Sequence, residues 1–399
     1  MPPPSQPDRA AQLRAAGRGA ANLPRNVVAL SLVSFFNDTA SEMIAPLLPM
    51  FIGALGGGPQ ALGLIEGVAD ATASLVQIAS GYLADWSGRF KRLALLGYGF
   101  ANVLRPLLSV AGNWPQVLAI RFGDRLGKGV RGPARDALLV ADLPSDLHGR
   151  AYGLNRALDH AGAIAGPALA WLMLSGSISM RFIFAWSALP GAICLTLLAS
   201  TVHEHRGGDI RARPEIGIAP SAAYRRLLAA IFIFSLGCSS DAFLLWRAAE
   251  LGIAIRFAPL LWIVLHIVKS LTSTWGGALS DRAGRRMPIL AGWATYAAVY
   301  IGFALAHAAW QVWLLFAVYG VFFGLTEGAQ KAFVVDLVPA DWRGRALGVY
   351  SAAVGVAELP ASVVFGLVYQ HAGAAAAFSM GAALAIIAAA ILPQGPMRD

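Results

Sequence analysis

Apolar residues fall into twelve long runs, at about 27–53, 60–84, 93–112, 116–137, 150–175, 181–202, 226–248, 256–280, 288–308, 311–335, 345–369 and 373–393. Short polar connections separate them. Each run is long enough for a helix to cross the hydrocarbon core, which needs ~20 residues at 1.5 Å rise. Only helices and closed barrels satisfy every backbone polar group in lipid, so the pattern predicts twelve membrane-spanning α-helices.

The connections alternate in charge. Basic residues gather in the N-terminal tail, at 89–92, from Arg131 to Arg150, from Arg206 to Arg226, from Arg282 to Arg286, and at Arg343 and Arg345. Those at 54–59, 113–115 and 370–373 carry no Lys or Arg, and those near 176–181 and 248–256 carry very few. Lys and Arg collect in cytoplasmic loops, so both termini are expected in the cytoplasm, which requires an even number of spans. The expected organisation is a cytoplasmic tail at 1–24, an N-terminal six-helix lobe at 25–203, a cytoplasmic linker at 204–225, a C-terminal six-helix lobe at 226–393 and a short tail at 394–399.

Composition supports this reading. Hydrophobic residues make up 57% of the 399 and charged residues only 13%, too much apolar surface for an ordinary soluble enzyme to hide from water. The net charge of +9 is accounted for by the basic loops rather than by a nucleic-acid partner. Two cysteines, Cys194 and Cys238, are too few for a disulfide framework or a structural zinc site.

The chain also repeats itself. GYLADWSGRFKR at 81–92 returns as GALSDRAGRR at 277–286, with Asp85 and Asp281 196 residues apart. GRAYG at 149–153 returns as GRALG at 344–348, an offset of 195. Two unrelated motifs at nearly one offset imply a duplication into parallel lobes. The first motif resembles the loop after the second span in the major facilitator superfamily, with its copy after the eighth. Arg121, followed by Gly127 and Gly129, is a second point of resemblance, and GAIAGP at 162–167 a third. The last is similar to an antiporter signature, but Ala168, Leu169 and Ala170 lack the usual glycine pair. The resemblance covers about 25–393 and implies an all-α fold of twelve helices in two pseudo-symmetric six-helix lobes. It also implies alternating access about a midplane site between spans 1, 4, 5, 7, 8, 10 and 11. The two loops, through Gly81, Asp85, Gly88, Arg89 and Arg92 and through Gly277, Asp281, Gly284 and Arg285, are expected to latch one conformation.

Charges inside the apolar runs are costly, ~2.5–3.5 kcal/mol each on insertion scales, and mark pathways or partners. The first lobe holds Asp38, Glu42, Glu66, Asp70, Arg105, Arg121, Asp124, Arg125, Lys128, Arg156, Asp159 and His160. At 100° per residue, Arg121, Asp124, Arg125, Lys128 and Arg135 share roughly a 100° arc of one helix. The second lobe is sparser, with Asp241, His266, Lys269, Glu327, Gln330, Lys331 and Glu358. Asp38, Glu42, Arg121, Asp124, Arg125, Lys128, Arg156, Asp159, Asp241, Glu327, Lys331 and Glu358 are the candidates for a substrate and proton pathway. The near balance of acids and bases in the first lobe also suits a structural ion-pair network. Gly320, Gly324 and Gly328 predict close helix packing.

GKGVRG at 127–132 lies inside a span and Lys128 is followed by Gly129, so neither a dinucleotide fold nor a Walker phosphate loop is present. No catalytic residues, metal site or cofactor are expected, with protons as the coupling ion. The expected protein is a secondary transporter of the cell inner membrane, functional as a monomer, with a small molecule and the bilayer as partners. Export of a small organic compound is the first reading. Uptake or exchange of a small anion or metabolite through the basic stripe is the alternative. A non-transporting membrane sensor of the same fold would need a large soluble output region.

Overall fold

A computed structural model describes residues 23–141, 143–144, 147–204, 221–339 and 342–394, with nothing of the Asp85 side chain. Most of the expected tails and linker, and the latch role of Asp85, therefore lie outside the described residues. The described chain is helical almost throughout. Its helices in order are α1 (Arg25–Glu42), α2 (Leu48–Ala54), α3 (Pro59–Ser87), α4 (Phe90–Leu104), α5 (Trp114–Val140), α6 (His148–Ser175), α7 (Met180–Trp186) and α8 (Ala188–Thr201). After the linker come α9 (Ala222–Gly237), α10 (Ala242–Glu250), α11 (Ala258–Ala283), α12 (Arg286–Leu305), α13 (Ala309–Asp336) and α14 (Arg343–Ile391). Helix α9 begins inside the stretch expected to be linker.

Among the described residues, ten helical segments are long and apolar enough to cross a membrane, with α1–α2, α7–α8 and α9–α10 each joined into one. Helix α5 is absent from that set because its charges dilute it, although its 27 residues are long enough. Helix α14 runs for 49 residues but is interrupted at Gly373, whose φ of 84° and ψ of 170° no helix contains. The break falls at the neutral connection expected there.

Local chemistry sets the ends. Asn113 caps α5 by accepting from Gln116 N at 3.0 Å, and Pro115 follows where no amide donor is needed. The repeated glycines of the two loop motifs explain themselves by conformation. Gly88 has φ 60° and Gly284 φ 82°, a region where a Cβ is strained, and each follows the helix that it ends.

The two halves differ inside. The second packs around buried aromatic rings, with Phe234 stacked on Trp293 at 4.7 Å and Tyr296 on Tyr300 at 4.0 Å. The first buries Asn37, Glu66, Asn102, Arg105, Arg121, Asp124 and Arg131. Glycine lets helices touch backbone to backbone in both. A Cβ on Gly97 of α4 would lie 2.6 Å from the Gly127 carbonyl of α5, and one on Gly166 of α6 2.6 Å from the Thr39 carbonyl of α1. Gly320 and Gly324 likewise face Val268 and Thr272 of α11, whereas Gly328 meets nothing within 4 Å. The expected glycine stripe therefore packs over only part of its length.

Helices α3 and α14 form one seam between the halves and α6 and α11 the other. At the sparsely charged end the α3–α14 seam is tight, with Gly58 against Gln370, Gly63 against Ser362 and Gly366 against Pro59. It stays closed as far as Ser74 and Gly355. Beyond, towards the basic end, Gly348 meets nothing within 4 Å, and Tyr82 and Trp86 are 76% and 86% exposed. Trp275 of α11 is 82% exposed at the same end of the other seam. The halves touch at one end and part at the other.

Candidate functional site

Where the halves part lies a cavity of about 560 Å³. Two broken helices frame it. Helix α1 ends at Glu42, the chain passes through a short 3-10 turn at Ala45–Leu47 containing Pro46, and α2 resumes at Leu48. Helix α9 ends at Gly237 and α10 resumes at Ala242. The breaks occupy corresponding positions of the repeat, and broken backbone at membrane depth is tolerated where it lines a cavity. Tyr296 OH donates to the freed Gly237 carbonyl at 2.9 Å, and Ser239 bonds the Tyr300 hydroxyl at 3.0 Å. Ser240 and Asp241 face the cavity from the second break, Glu42 and Ala45 from the first.

Most candidate pathway residues meet here. Glu42, Arg121, Arg125, Lys128, Asp241, Glu327, Lys331 and Glu358 all line the cavity. Their partners divide into two kinds. Arg121 is engaged by Glu66 at 2.8 Å and by Asp124 at 3.5 Å, and Arg125 lies 3.8 Å from Asp70. Glu327 receives Arg156 at 3.2 Å and Lys269 at 3.5 Å. Among the described residues, Glu42, Asp241 and Glu358 instead hold only neutral donors: Trp262 Nε1 at 2.7 Å, Tyr319 OH at 2.7 Å and Ser74 Oγ at 2.9 Å. Lys128 and Lys331 stand exposed in the cavity, with no carboxylate of the described residues within ion-pair distance.

Four candidates lie outside the lining. Asp124 is buried behind it, accepting from Arg105 Nε at 2.7 Å, while Arg105 Nη1 also donates to Asn37 and Asn102 at 3.0 and 3.1 Å. Asp38 accepts from Asn37 at 2.9 Å. Asp159 accepts from Asn155 at 3.1 Å and lies 3.8 Å from Arg135. Arg156 reaches the site only through Glu327 across the gap between halves.

Of the loop residues, Arg285 binds Asp281 and, at 2.9 Å through Nε, Asp336 at the end of α13. The hydrogen bonds that it donates to Asp336 and Asp281 push its pKa upward, so it stays cationic. Gly81 stands 4.0 Å from Pro133, Gly277 meets nothing within 4 Å, and Arg89 and Arg92 are exposed.

Charge alone did not separate Glu66, Asp70 and Lys269 as cavity residues. Trp262, Phe234, Phe322 and Phe323, which also line it, carry no mark in an aromatic-rich apolar chain. The paired breaks, at Pro46 with Pro49 and at Gly237 before Cys238, are a signal that could have located their neighbourhood, and it went unread along the chain.

The family model of the Major Facilitator Superfamily matches residues 30–356 and 227–396. The chain belongs to the Major Facilitator Superfamily. It is 33% identical over 378 residues to an uncharacterized MFS-type transporter of Methanocaldococcus jannaschii, covering 93% of this chain and 94% of that one. Over 169 residues it is 27% identical to the multidrug resistance protein MdtG of Salmonella arizonae, 41% of each chain. The solved structure of a POT family transporter with a thioalcohol-conjugated peptide superposes with a TM-score of 0.77 at 12% identity, over 94% of this chain and 96% of that one, which shows a shared fold. Members of this superfamily are transporters rather than enzymes, sit in a lipid bilayer and bind small molecules.

Proposed function

We propose that this superfamily member is a proton-coupled secondary transporter that exports a small organic compound by alternating access. The observation that carries the reading is the cavity: it lies between halves sealed at one end, and three of its carboxylates hold no base. Counting α5 and dividing α14 at Gly373 makes twelve crossings, in two six-helix lobes joined by the basic linker. With the basic loops in the cytoplasm of a bacterial-type inner membrane, the cavity opens inward, ready to load a compound from inside.

Coupling follows from competition at the carboxylates. A carboxylate in a pocket of low polarity takes a proton unless a cation or strong donors stabilise its charge. Rocking of the lobes changes which donors reach Glu42, because Trp262 bonds it from the opposite half. Asp124 suits a structural role better, being held by Arg105 inside one lobe. The pairing of Arg121 and Arg125 with Glu66 and Asp70 leaves little of the span 4 stripe bare for an anion, which favours organic cargo over anion exchange. Partial likeness to a multidrug resistance protein points the same way.

Proteoliposomes loaded with the pH dye pyranine test this against a panel of organic cations, anions and zwitterions. Compound-evoked proton flux is expected, with Glu42→Gln abolishing flux while leaving compound-for-compound exchange. Exchange without proton flux in the unaltered protein would overturn the coupling.

The loop pairs serve as latches. Arg285 ties α11 to α13 within one half in the conformation seen here, and the Gly81–Arg92 loop is the counterpart in the other. Removing a surface-exposed pair of this kind costs ~1 kcal/mol or less, yet that is enough to move a balanced conformational equilibrium several-fold. Arg285→Gln is expected to shift spin-label distances across the basic end without changing ligand affinity of the open state. Unchanged distances sink the latch.

A further inference from the structure

The cavity is charged unevenly along its length. At its closed end stand Glu42, Glu66, Asp70 and Asp241 against Arg121 and Arg125, an excess of acid. Towards its mouth Lys128, Lys269 and Lys331 face Glu327, an excess of base, while Glu358 sits level with Ser74, where the seam closes. The groups left without a counter-charge follow the same division. Glu42 and Asp241 hold only Trp262 and Tyr319, and Lys128 and Lys331 hold no carboxylate.

Positions on single helices give the spacing. On α5, Arg121 of the closed end and Lys128 are seven residues apart, about 10 Å of helix rise. On α13, Tyr319, which donates to Asp241, and Lys331 are twelve residues apart, about 18 Å. Between the two levels on α13 the wall carries Phe322 and Phe323.

We propose that the cavity takes amphoteric organic molecules, an amine seated at the closed end and an acid group near the mouth, joined by an apolar body of about 10 Å or more. This deepens the transporter reading above and rests on it. A bound amine supplies the cation that Glu42 and Asp241 lack, and an acid group supplies the anion that Lys128 and Lys331 lack. Glu42 and Asp241 are half-buried charges with no cation at ion-pair distance among the described residues, whereas Lys128 and Lys331 are exposed cations that an anion can reach. The aromatic rings beside Asp241 also favour an ammonium over a neutral head, by attraction to their faces. A molecule carrying one charge satisfies one end and leaves the other as it was.

Three probes of one shape test it on the purified full-length protein: 4-phenylbutylamine, 4-butylbenzoate and 4-(4-aminobutyl)benzoate. Ligand that binds the native state raises its melting temperature, and titration yields an affinity for each. The amphoteric probe is expected to bind at least tenfold tighter than either singly charged one. Asp241→Asn should erase its advantage over the acid, and the double variant Lys128→Gln/Lys331→Gln its advantage over the amine. Equal affinity for the amine alone and the amphoteric probe overturns the inference, as does no binding of the amphoteric probe. Proton flux evoked by other compounds in the same preparation would then leave the transporter reading standing, whereas no flux with any compound removes both.

Discussion

Arg105→Leu is expected to destabilise the protein by about 3–5 kcal/mol, the cost of leaving one member of a buried ion pair without the other. Arg105 and Asp124 have side chains only 5% and 3% exposed and meet at 2.7 Å. Arg105 also holds the side-chain oxygens of Asn37 and Asn102, so its loss takes a donor from three acceptors on α1, α4 and α5 and leaves Asp124 with the longer 3.5 Å contact to Arg121. In thermal and denaturant unfolding of the purified protein, the double variant Arg105→Leu/Asp124→Leu should recover much of the loss, because no charge then stays buried alone. Arg125→Gln should cost far less. Its pair with Asp70 is 3.8 Å long and faces the cavity, with side chains 19% and 32% exposed. Equal losses for Arg105→Leu and Arg125→Gln would show that the two pairs do not differ as their burial implies.

The second large effect is on conformation. A Cβ at Gly366 would stand 2.5 Å from the Pro59 carbonyl oxygen, backbone that cannot give way, in the tight seam between the halves at the sealed end. Gly366→Val therefore overpacks the state seen here, by about 1–3 kcal/mol. A penalty of ~2 kcal/mol confined to this state moves a two-state balance about thirtyfold towards the one open at the other end. Distances between labels on the two halves should lengthen at the sealed end and shorten at the basic end. Gly348→Val is the control on the same helix, since nothing stands within 4 Å of Gly348. An equal shift from both variants would mean that the seam is not where the halves are held.

Much of this was legible along the chain. Hydrophobic length alone located the crossings, because lipid leaves a backbone no other way to satisfy its donors and acceptors. Loop charge predicted the basic end, and the repeats at 81–92 and 277–286 predicted two related halves. The fourth crossing shows the boundary of that legibility. Helix α5 is too polar to register as a span by hydropathy, and only the place of its charges against Glu66, Asp70 and Arg105 explains how it sits there.

The candidate site was legible in part, for the same reason. An ionisable residue in an apolar run announces that it faces away from lipid. It does not announce what it faces. Asp38, Asp124 and Asp159 read like Glu42 and Asp241, yet the first three turn into a lobe and the last two into the cavity. Trp262 and Phe322 read like core residues, and the fold put them on the wall.

The amino-acid sequence by itself determined that this chain spans a membrane as helices, that it belongs to the Major Facilitator Superfamily, and which charges fall within its long helices. Those properties depend on residue type, length and order. The tertiary structure decided which charges neutralise each other, which line the cavity, and which end is sealed. Those depend on distances between helices far apart in sequence, set by how closely glycines such as Gly63, Gly127 and Gly366 let backbones approach.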